Sequence, residues 1–303
     1  MEDRSGAVDS WVAREKGAHF LEIERYDLAE RTLAEALVRD PHNPDLLTLL
    51  GHVYRDWNRP EDAERCAREA VESNPGDPLA LALLAVLSSD SGRNTESERL
   101  YLEALRFDPT NPFLLKGYAH LMYRAGQLEK AQRLAEASLE QDPEDAGAHS
   151  MLAVILTERS RKSAAEGAGR EGLRLSPDEE YSHLGAGLAF YGNGRPFKAK
   201  RHIREALRLN PDDADTIALF EEVDFHTRWT SILFYYWSWL VNKIPGRQFL
   251  VWAVVMVLIF TAAEVEPLRP VAMFMVIVYL FLVIYTWLAI PITKLWVRMR
   301  PPR

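Results

Sequence analysis

The chain has 303 residues and carries 36 Lys and Arg against 44 Asp and Glu, a net charge of −8, and that shortage of cations excludes the broad phosphate-binding face of a nucleic-acid protein. The charge is unevenly placed. Residues 1–224 hold 28 basic and 42 acidic side chains and residues 225–303 hold eight and two, so the two parts meet different surroundings.

A single cysteine, Cys66, excludes an internal disulfide and a cysteine-based zinc cluster. Residues 1–20 lack the apolar core of a secretory leader. Residues 1–9 read as an N-terminal tail.

From residue 10 a helix-favouring sequence is interrupted at regular intervals, by RDPHNP at 39–44, NPGDP at 74–78, DPTNP at 108–112, DPEDA at 142–146, SPDEE at 176–180 and NPDDA at 210–214. Pro41, Pro75, Pro109, Pro143, Pro177 and Pro211 are thus spaced by 34 residues. Each ends a helix, because proline lacks the N–H and its ring collides with the preceding turn. Two residues on, Asn43, Asp77, Asn111, Asp145 or Asp213 can cap a new helix, with Glu179 the weakest occupant of that place. Pro44, Pro78 and Pro112 then suit the first helical position.

Units of 34 residues begin at 10, 44, 78, 112, 146 and 180. Small residues recur at position 8 (Gly17, Gly51, Ala85, Ala119, Ala153, Gly187), at position 20 (Ala29, Ala63, Ser97, Ala131, Ala165, Ala199) and at position 27 (Ala36, Ala70, Ala104, Ser138, Gly172, Ala206). Their phase predicts helix A near positions 2–14 and helix B near 18–30, packed closely as a hairpin. Residues 214–224 restart as a further helix A whose Ile217 and Phe220 cap the array.

This pattern resembles the tetratricopeptide repeat family, in the length of the unit, the small residues, the aromatic at position 11 (Phe20, Tyr54, Phe190) and the closing proline. The family's tryptophan at position 4 is absent from every unit. The resemblance implies an all-α fold, a right-handed α-solenoid of helix-turn-helix repeats over residues 10–213. It also implies a protein-binding face lined by positions 2, 5, 9, 12 and 13 of the A helices. Those positions hold Trp11, Arg14, Thr48, His52, Arg55, Leu79, Val86, Phe113, Lys116, His120, Tyr123, Arg124, Ser150, Val154, Tyr181, Leu184, Leu188 and Tyr191. Aromatic and apolar side chains with a few cations suit a peptide segment with apolar anchors and some negative charge. Ala18 and Val86 stand where the carboxylate-clamping members of the family carry Asn, which disfavours a chaperone-tail receptor.

Chemistry is harder to find. GAGREG at 167–172 matches G-x-G-x-x-G, but the repeat phase puts it inside helix B of repeat five, without the strand that a nucleotide site requires. Three helical glycines there predict a pliable joint. His149 and His183 share position 4 of adjacent repeats and lack the further ligands of a metal site, so they read as packing replacements. Carboxylates are spread evenly, as on solvated helix faces. No catalytic residue, metal or cofactor is expected.

The C-terminal part reads as membrane. Residues 271–290 are twenty uncharged, mostly apolar residues, enough for about 30 Å of helix. Residues 249–263 form a shorter apolar run that Gln248 and a snorkelling Arg247 extend. These predict a two-helix membrane hairpin, about 248–264 and 271–290, within 246–303. An amphipathic aromatic helix at 225–245 precedes it, with Trp229, Trp237, Trp239, Lys243 and Arg247 at the membrane interface. Lys294, Trp296 and Arg298 mark the same interface beyond the second span. Basic flanks around the loop EVEPLRP, which has a single basic residue, place both ends in the cytoplasm. Arginine outnumbers lysine 28 to 8, a composition seen in GC-rich bacteria, which points to an inner membrane with the repeats cytosolic.

The expected function is a membrane-anchored, non-catalytic scaffold or adaptor that recruits a protein partner through the repeats and meets no nucleic acid. The alternative is an accessory subunit of a transport or envelope-biogenesis complex, docked through its hairpin on another membrane subunit.

Overall fold

The structure, a computed structural model, describes residues 3–227, which are helices joined by tight turns, with no strand among them. In chain order the helices are α1 (Asp3–Glu22), α2 (Tyr26–Leu37), α3 (Pro44–Asp56), α4 (Pro60–Ser73), α5 (Pro78–Asp90), α6 (Asn94–Phe107), α7 (Pro112–Arg124), α8 (Leu128–Gln141), α9 (Ala146–Glu158), α10 (Lys162–Leu175), α11 (Glu180–Gly192), α12 (Pro196–Leu209) and α13 (Ala214–Thr227). From α3 onward the odd-numbered helices begin 34 residues apart, as the prolines require.

Both ends of this series differ from expectation. Helix α1 starts at Asp3, so residues 3–9 extend the first helix and are no tail. Helix α13 runs on to Thr227, past the expected end of the cap at 224, and takes in the first three residues assigned to a juxtamembrane helix. The rest of that helix, both apolar segments, and Trp229, Trp237, Trp239, Lys243, Arg247, Lys294, Trp296 and Arg298 lie outside the described residues. Within them, no helix is long and apolar enough to cross a membrane.

The capping side chains perform as their chemistry dictates. Asn43 accepts from the Leu46 amide at 3.2 Å, Asp77 from Leu79 at 2.9 Å, Asn111 from Phe113 at 3.0 Å, Asp145 from Ala148 at 3.0 Å and Asp213 from Thr216 at 2.9 Å. Each satisfies an amide that the first helical turn leaves without a partner.

The turn from helix A to helix B has a separate device. Position 15 of every repeat is left-handed: Glu24, Asn58, Gly92, Gly126, Ser160 and Gly194 all have φ between 57° and 77°. The following residue then donates its amide back to position 11, as in Arg59 to Tyr54 O (2.8 Å), Arg93 to Ser88 O (2.8 Å) and Gln127 to Met122 O (2.9 Å). Position 15 itself donates to position 12, for example Asn58 to Arg55 O at 3.0 Å. These paired bonds form a Schellman closure, which ends helix A and reverses the chain.

The described residues fall into two compact units, divided within α11 between Ala189 and Phe190. In the first, α1 packs on α2, α3 on α4, α5 on α6, α7 on α8 and α9 on α10, and each A helix also lies against the next A helix as far as α9. Ala29, Ala63, Ala131, Ala85, Ala119 and Ala153 are fully buried at the crossings. Larger side chains fill the space between pairs, among them Leu33, Leu46, Leu81, Leu83, Leu114, Leu121 and Ile155, each contributing about 2 kcal/mol by leaving water. In the second unit α12 packs on α13, with Ala199, Ile203, Ala206 and Val223 buried.

Candidate functional site

Neighbouring A helices of the first unit set their exposed side chains in parallel rows, one row for each repeat position. The row at position 2 is apolar in four of the six repeats, with the exposed Asp45 and the partly buried Gly147 in the other two. Trp11 is 61% exposed, Leu79 45%, Phe113 46% and Tyr181 68%. Exposing each such ring or branched chain to water is unfavourable, and Leu, Phe and Tyr are buried elsewhere in the array. The rim of this row is charged. Lys116 Nζ lies 2.6 Å from Asp145 Oδ2, and the other carboxylate oxygen of Asp145 caps α9.

The remaining groove candidates divide by what they touch. Tyr123 on α7 donates its hydroxyl to Glu158 of α9 at 2.7 Å, and burial together with that carboxylate raises its pKa well above the ordinary phenol range. Arg124 reaches the other way, to Asp90 of α5 at 3.2 Å. The two adjacent side chains therefore tie three successive A helices together, and their polar atoms are engaged within the array. Arg55 pairs with Asp56 at 2.9 Å, and Arg14 stands exposed, 3.8 Å from Glu15.

His52 and His120 occupy position 9 two repeats apart. Burial, helped by the Arg55 cation, pushes the His52 imidazole down to about 4, so it is neutral at pH 7. His120 is lowered too, by desolvation and the nearby Arg124. Leu188 is partly buried on α11. Tyr191 lies in the second unit, where its hydroxyl donates to Glu222 at 2.8 Å and lies 2.5 Å from His226 Nδ1.

Two expected members of the lining are absent from the surface. Thr48 and Ser150, at position 5, are buried. Ser150 donates to Ala146 O at 2.8 Å, and its backbone is where Gly185 of α11 makes closest approach.

That approach also explains GAGREG. All three glycines lie within α10, with no strand before them, so the nucleotide reading has no structural basis. A Cβ on Gly169 would lie 2.9 Å from Ala186 Cα, and one on Gly172 would lie 2.6 Å from Ser150 Oγ and 3.2 Å from Ala146 O. These two glycines permit close helix contact rather than a pliable joint. Gly167 meets nothing within 4 Å.

His149 and His183 also differ from their expected packing role. Each ring Nε2 faces the carbonyl of the proline six residues earlier, Pro143 at 3.0 Å and Pro177 at 2.8 Å. They brace the turn ahead of their own helix. Among the described residues no group of three His, Cys, Asp or Glu is placed to hold a metal ion.

Sequence reasoning missed a second set of links between repeats. Arg59 at position 16 reaches Glu30 at position 21 of the preceding repeat (3.0 Å), and Arg93 reaches Glu64 in the same way (2.9 Å). In the next repeat position 16 is Gln127, and Glu98 instead accepts from Lys130 at 2.6 Å and from the Tyr118 hydroxyl at 2.7 Å. Both partners hold the Glu98 carboxyl below its usual range, Lys130 first. The signal was available as a charge recurring at fixed positions 16 and 21.

The tetratricopeptide repeat family model matches residues 20–87 and 89–155. The matched residues, 20–155, read as tetratricopeptide repeats. Among the described residues, thirteen helices accommodate about six such repeats, counting the last helix as a cap. Solved structures of like fold include the Cut9–Hcn1 hetero-tetramer of the APC/C, with 16% identity, a TM-score of 0.62, and coverage of 71% of this chain and 42% of that one. Pseudomonas aeruginosa pilF has 17% identity and a TM-score of 0.57, with 72% and 99% covered. The human IFIT1 dimer with PPP-AAAA has 20% identity and a TM-score of 0.58, with 72% and 53% covered.

The chain thus spans under half the length of the Cut9–Hcn1 chain that it matches. At these identities the likeness shows the fold, an all-α repeat solenoid. No curated protein matches the sequence. Tetratricopeptide repeats ordinarily bind proteins or peptides and carry no catalysis of their own.

Proposed function

We propose that the protein is a scaffold fixed to the bacterial inner membrane by an apolar hairpin at 248–264 and 271–290, which recruits an extended protein segment along its cytosolic A helices. The observation that carries the recruiting role is the apolar row of Trp11, Leu79, Phe113 and Tyr181. These side chains share one repeat position and stay exposed while most large apolar residues of the A helices are packed. A segment with apolar anchors spaced to match would cover them, and hydrophobic burial would supply most of the affinity. Lys116 and Arg55 stand beside the row already paired with Asp145 and Asp56, so the apolar anchors carry the recognition.

The anchor rests on the length and apolarity of the two C-terminal segments and on their basic flanks. Apart from Glu264 at the very end of the first, the segments contain no charged residue, which supports anchoring over ion transport.

The test replaces Phe113 with a photo-crosslinking amino acid in the full-length membrane protein and compares adduct formation with and without Tyr181→Ala and Leu79→Ala. Crosslinks to one protein that fade in the substituted chain support the groove. Unchanged adducts remove it. Exchange of residues 246–303 for an unrelated anchor separates a scaffold, which keeps its function, from a subunit docked through its own hairpin, which loses it.

A further inference from the structure

The B helices carry a charge gradient that the groove does not explain. Counting Lys, Arg, Asp and Glu, α2, α4, α6, α8, α10 and α12 have net charges of −2, −3, −1, −1, +1 and +4. The last value is at odds with an acidic array. Helix α12 has five cations, Lys198, Lys200, Arg201, Arg204 and Arg208, and a single acid, Glu205.

These cations do not simply neutralise the neighbouring cap. Lys200 does so, with its Nζ 2.6 Å from Asp224 of α13. The others point away from the buried face of Ala199, Ile203 and Ala206. Phe197, Arg201, Arg204 and Arg208 are exposed at spacings of four, three and four residues, which lays them along one stripe of the helix. Lys198, also exposed, flanks it. Phe197, 53% exposed, adds a large apolar ring to this cationic row. The pairings within the stripe are weak ones at the surface, Arg208 with Glu205 at 2.7 Å and Arg204 over the Phe220 ring at 5.7 Å.

We propose that this stripe of α12 rests on anionic phospholipid headgroups. Its chemistry fits, with guanidinium groups for phosphate oxygens and an aromatic ring for the headgroup layer. Its place in the chain fits as well, since the apolar segments begin at residue 248, a short way beyond the end of α13 at Thr227. The gradient then has a physical meaning. The repeats farthest along the chain from the membrane segments are the ones that an anionic surface repels, and the last one is drawn to it. A basic side chain at such a surface strengthens association about fivefold. The proposal deepens the anchor reading but does not share its fate, because headgroup contact and bilayer insertion have separate readouts.

The experiment uses the full chain with Cys66→Ala, reconstituted with phosphatidylcholine vesicles that contain either no anionic lipid or about 30% phosphatidylglycerol. A spin label is placed through Phe197→Cys, or through Glu136→Cys on α8 as the control. Flotation reports insertion, and collision with a water-soluble relaxation agent reports contact. We expect the label at 197 to lose accessibility about threefold on anionic vesicles alone, and to regain it in about 0.5 M salt or in the Arg201→Glu, Arg204→Glu, Arg208→Glu variant. The label at 136 should not change.

Flotation on both vesicle types with equal accessibility at 197 overturns the headgroup contact and leaves the anchor standing. Protection at 197 with flotation only on anionic vesicles supports the contact and removes the anchor. Protection by a single-stranded oligonucleotide, without protection by anionic lipid, overturns the proposal in favour of a nucleic-acid ligand.

Discussion

Lys116 of α7 and Asp145 at the start of α9 form an ion pair of 2.6 Å in which the carboxylate has a second task, capping α9 through the Ala148 amide. The link between repeats four and five therefore runs through a helix terminus, where the macrodipole already favours a negative charge.

Asp145→Ala should lower stability by about 1–2 kcal/mol, since it removes cap and ion pair together. Asp145→Asn should keep the cap and lose well under half of that. Urea denaturation of the full chain in detergent, followed by far-ultraviolet circular dichroism, separates the two.

The glycines of α10 should respond in opposite directions. Gly167 faces open space, so Gly167→Ala gains about 0.5–1 kcal/mol from helix propensity. Gly169→Ala drives a methyl against the Ala186 backbone and should cost about 1–3 kcal/mol. Hydrogen exchange of α10 and α11 amides should slow in the first variant and quicken in the second.

Glu24 and Ser160 hold φ of 57° and 59°, at a position where other repeats use glycine. Left-handed backbone costs an ordinary residue about 1 kcal/mol, so Ser160→Gly should stabilise by nearly that amount. Gly126→Ala should destabilise by about as much. Denaturation midpoints of the single variants check both signs.

His52 makes the array sensitive to mild acid. Its folded pKa, about 4, lies below the 6.5 of an unperturbed imidazole. Above pH 6.5 both states are neutral at this residue and stability is unaffected. As pH falls from 6.5 towards 4 only the unfolded chain takes up the proton, and stability declines by up to about 1.4 kcal/mol per pH unit. His52→Gln should abolish that part of the slope. Melting curves for the two proteins between pH 7 and 4.5 measure it as their difference.

Within the proposed groove, stability and binding should separate. Leu79→Ala removes a half-exposed side chain and should leave the melting temperature nearly unchanged while weakening the partner crosslinks formed from position 113. Tyr123→Phe removes the bond to Glu158, costs under about 1 kcal/mol, and should leave those crosslinks intact.

The fold was legible because 34-residue punctuation acts locally. Pro41 and its counterparts stop a helix by steric exclusion, and Asn43 and its counterparts start the next by one hydrogen bond, so neither depends on distant contacts. The left-handed turn residue escaped notice because Glu24, Asn58 and Ser160 blur the signal of Gly92, Gly126 and Gly194. The roles of Thr48, Ser150 and the α10 glycines depend on which backbones approach one another, which spacing along the chain does not record. Likewise His149 and His183 suggested packing or metal by their shared position, whereas the proline carbonyls behind them decide what they do. In the groove, position numbers identified the candidates, but only the structure shows that Tyr123 and Arg124 spend their polar atoms on neighbouring repeats while Phe113 and Tyr181 stay exposed.

Each hairpin is sealed by its own short rings of hydrogen bonds at position 15, with no help from the copies on either side. Duplication or loss of one whole module therefore leaves every remaining corner intact. Reach along the row becomes a countable property, adjusted in steps by gene slippage, without new invention in any single corner.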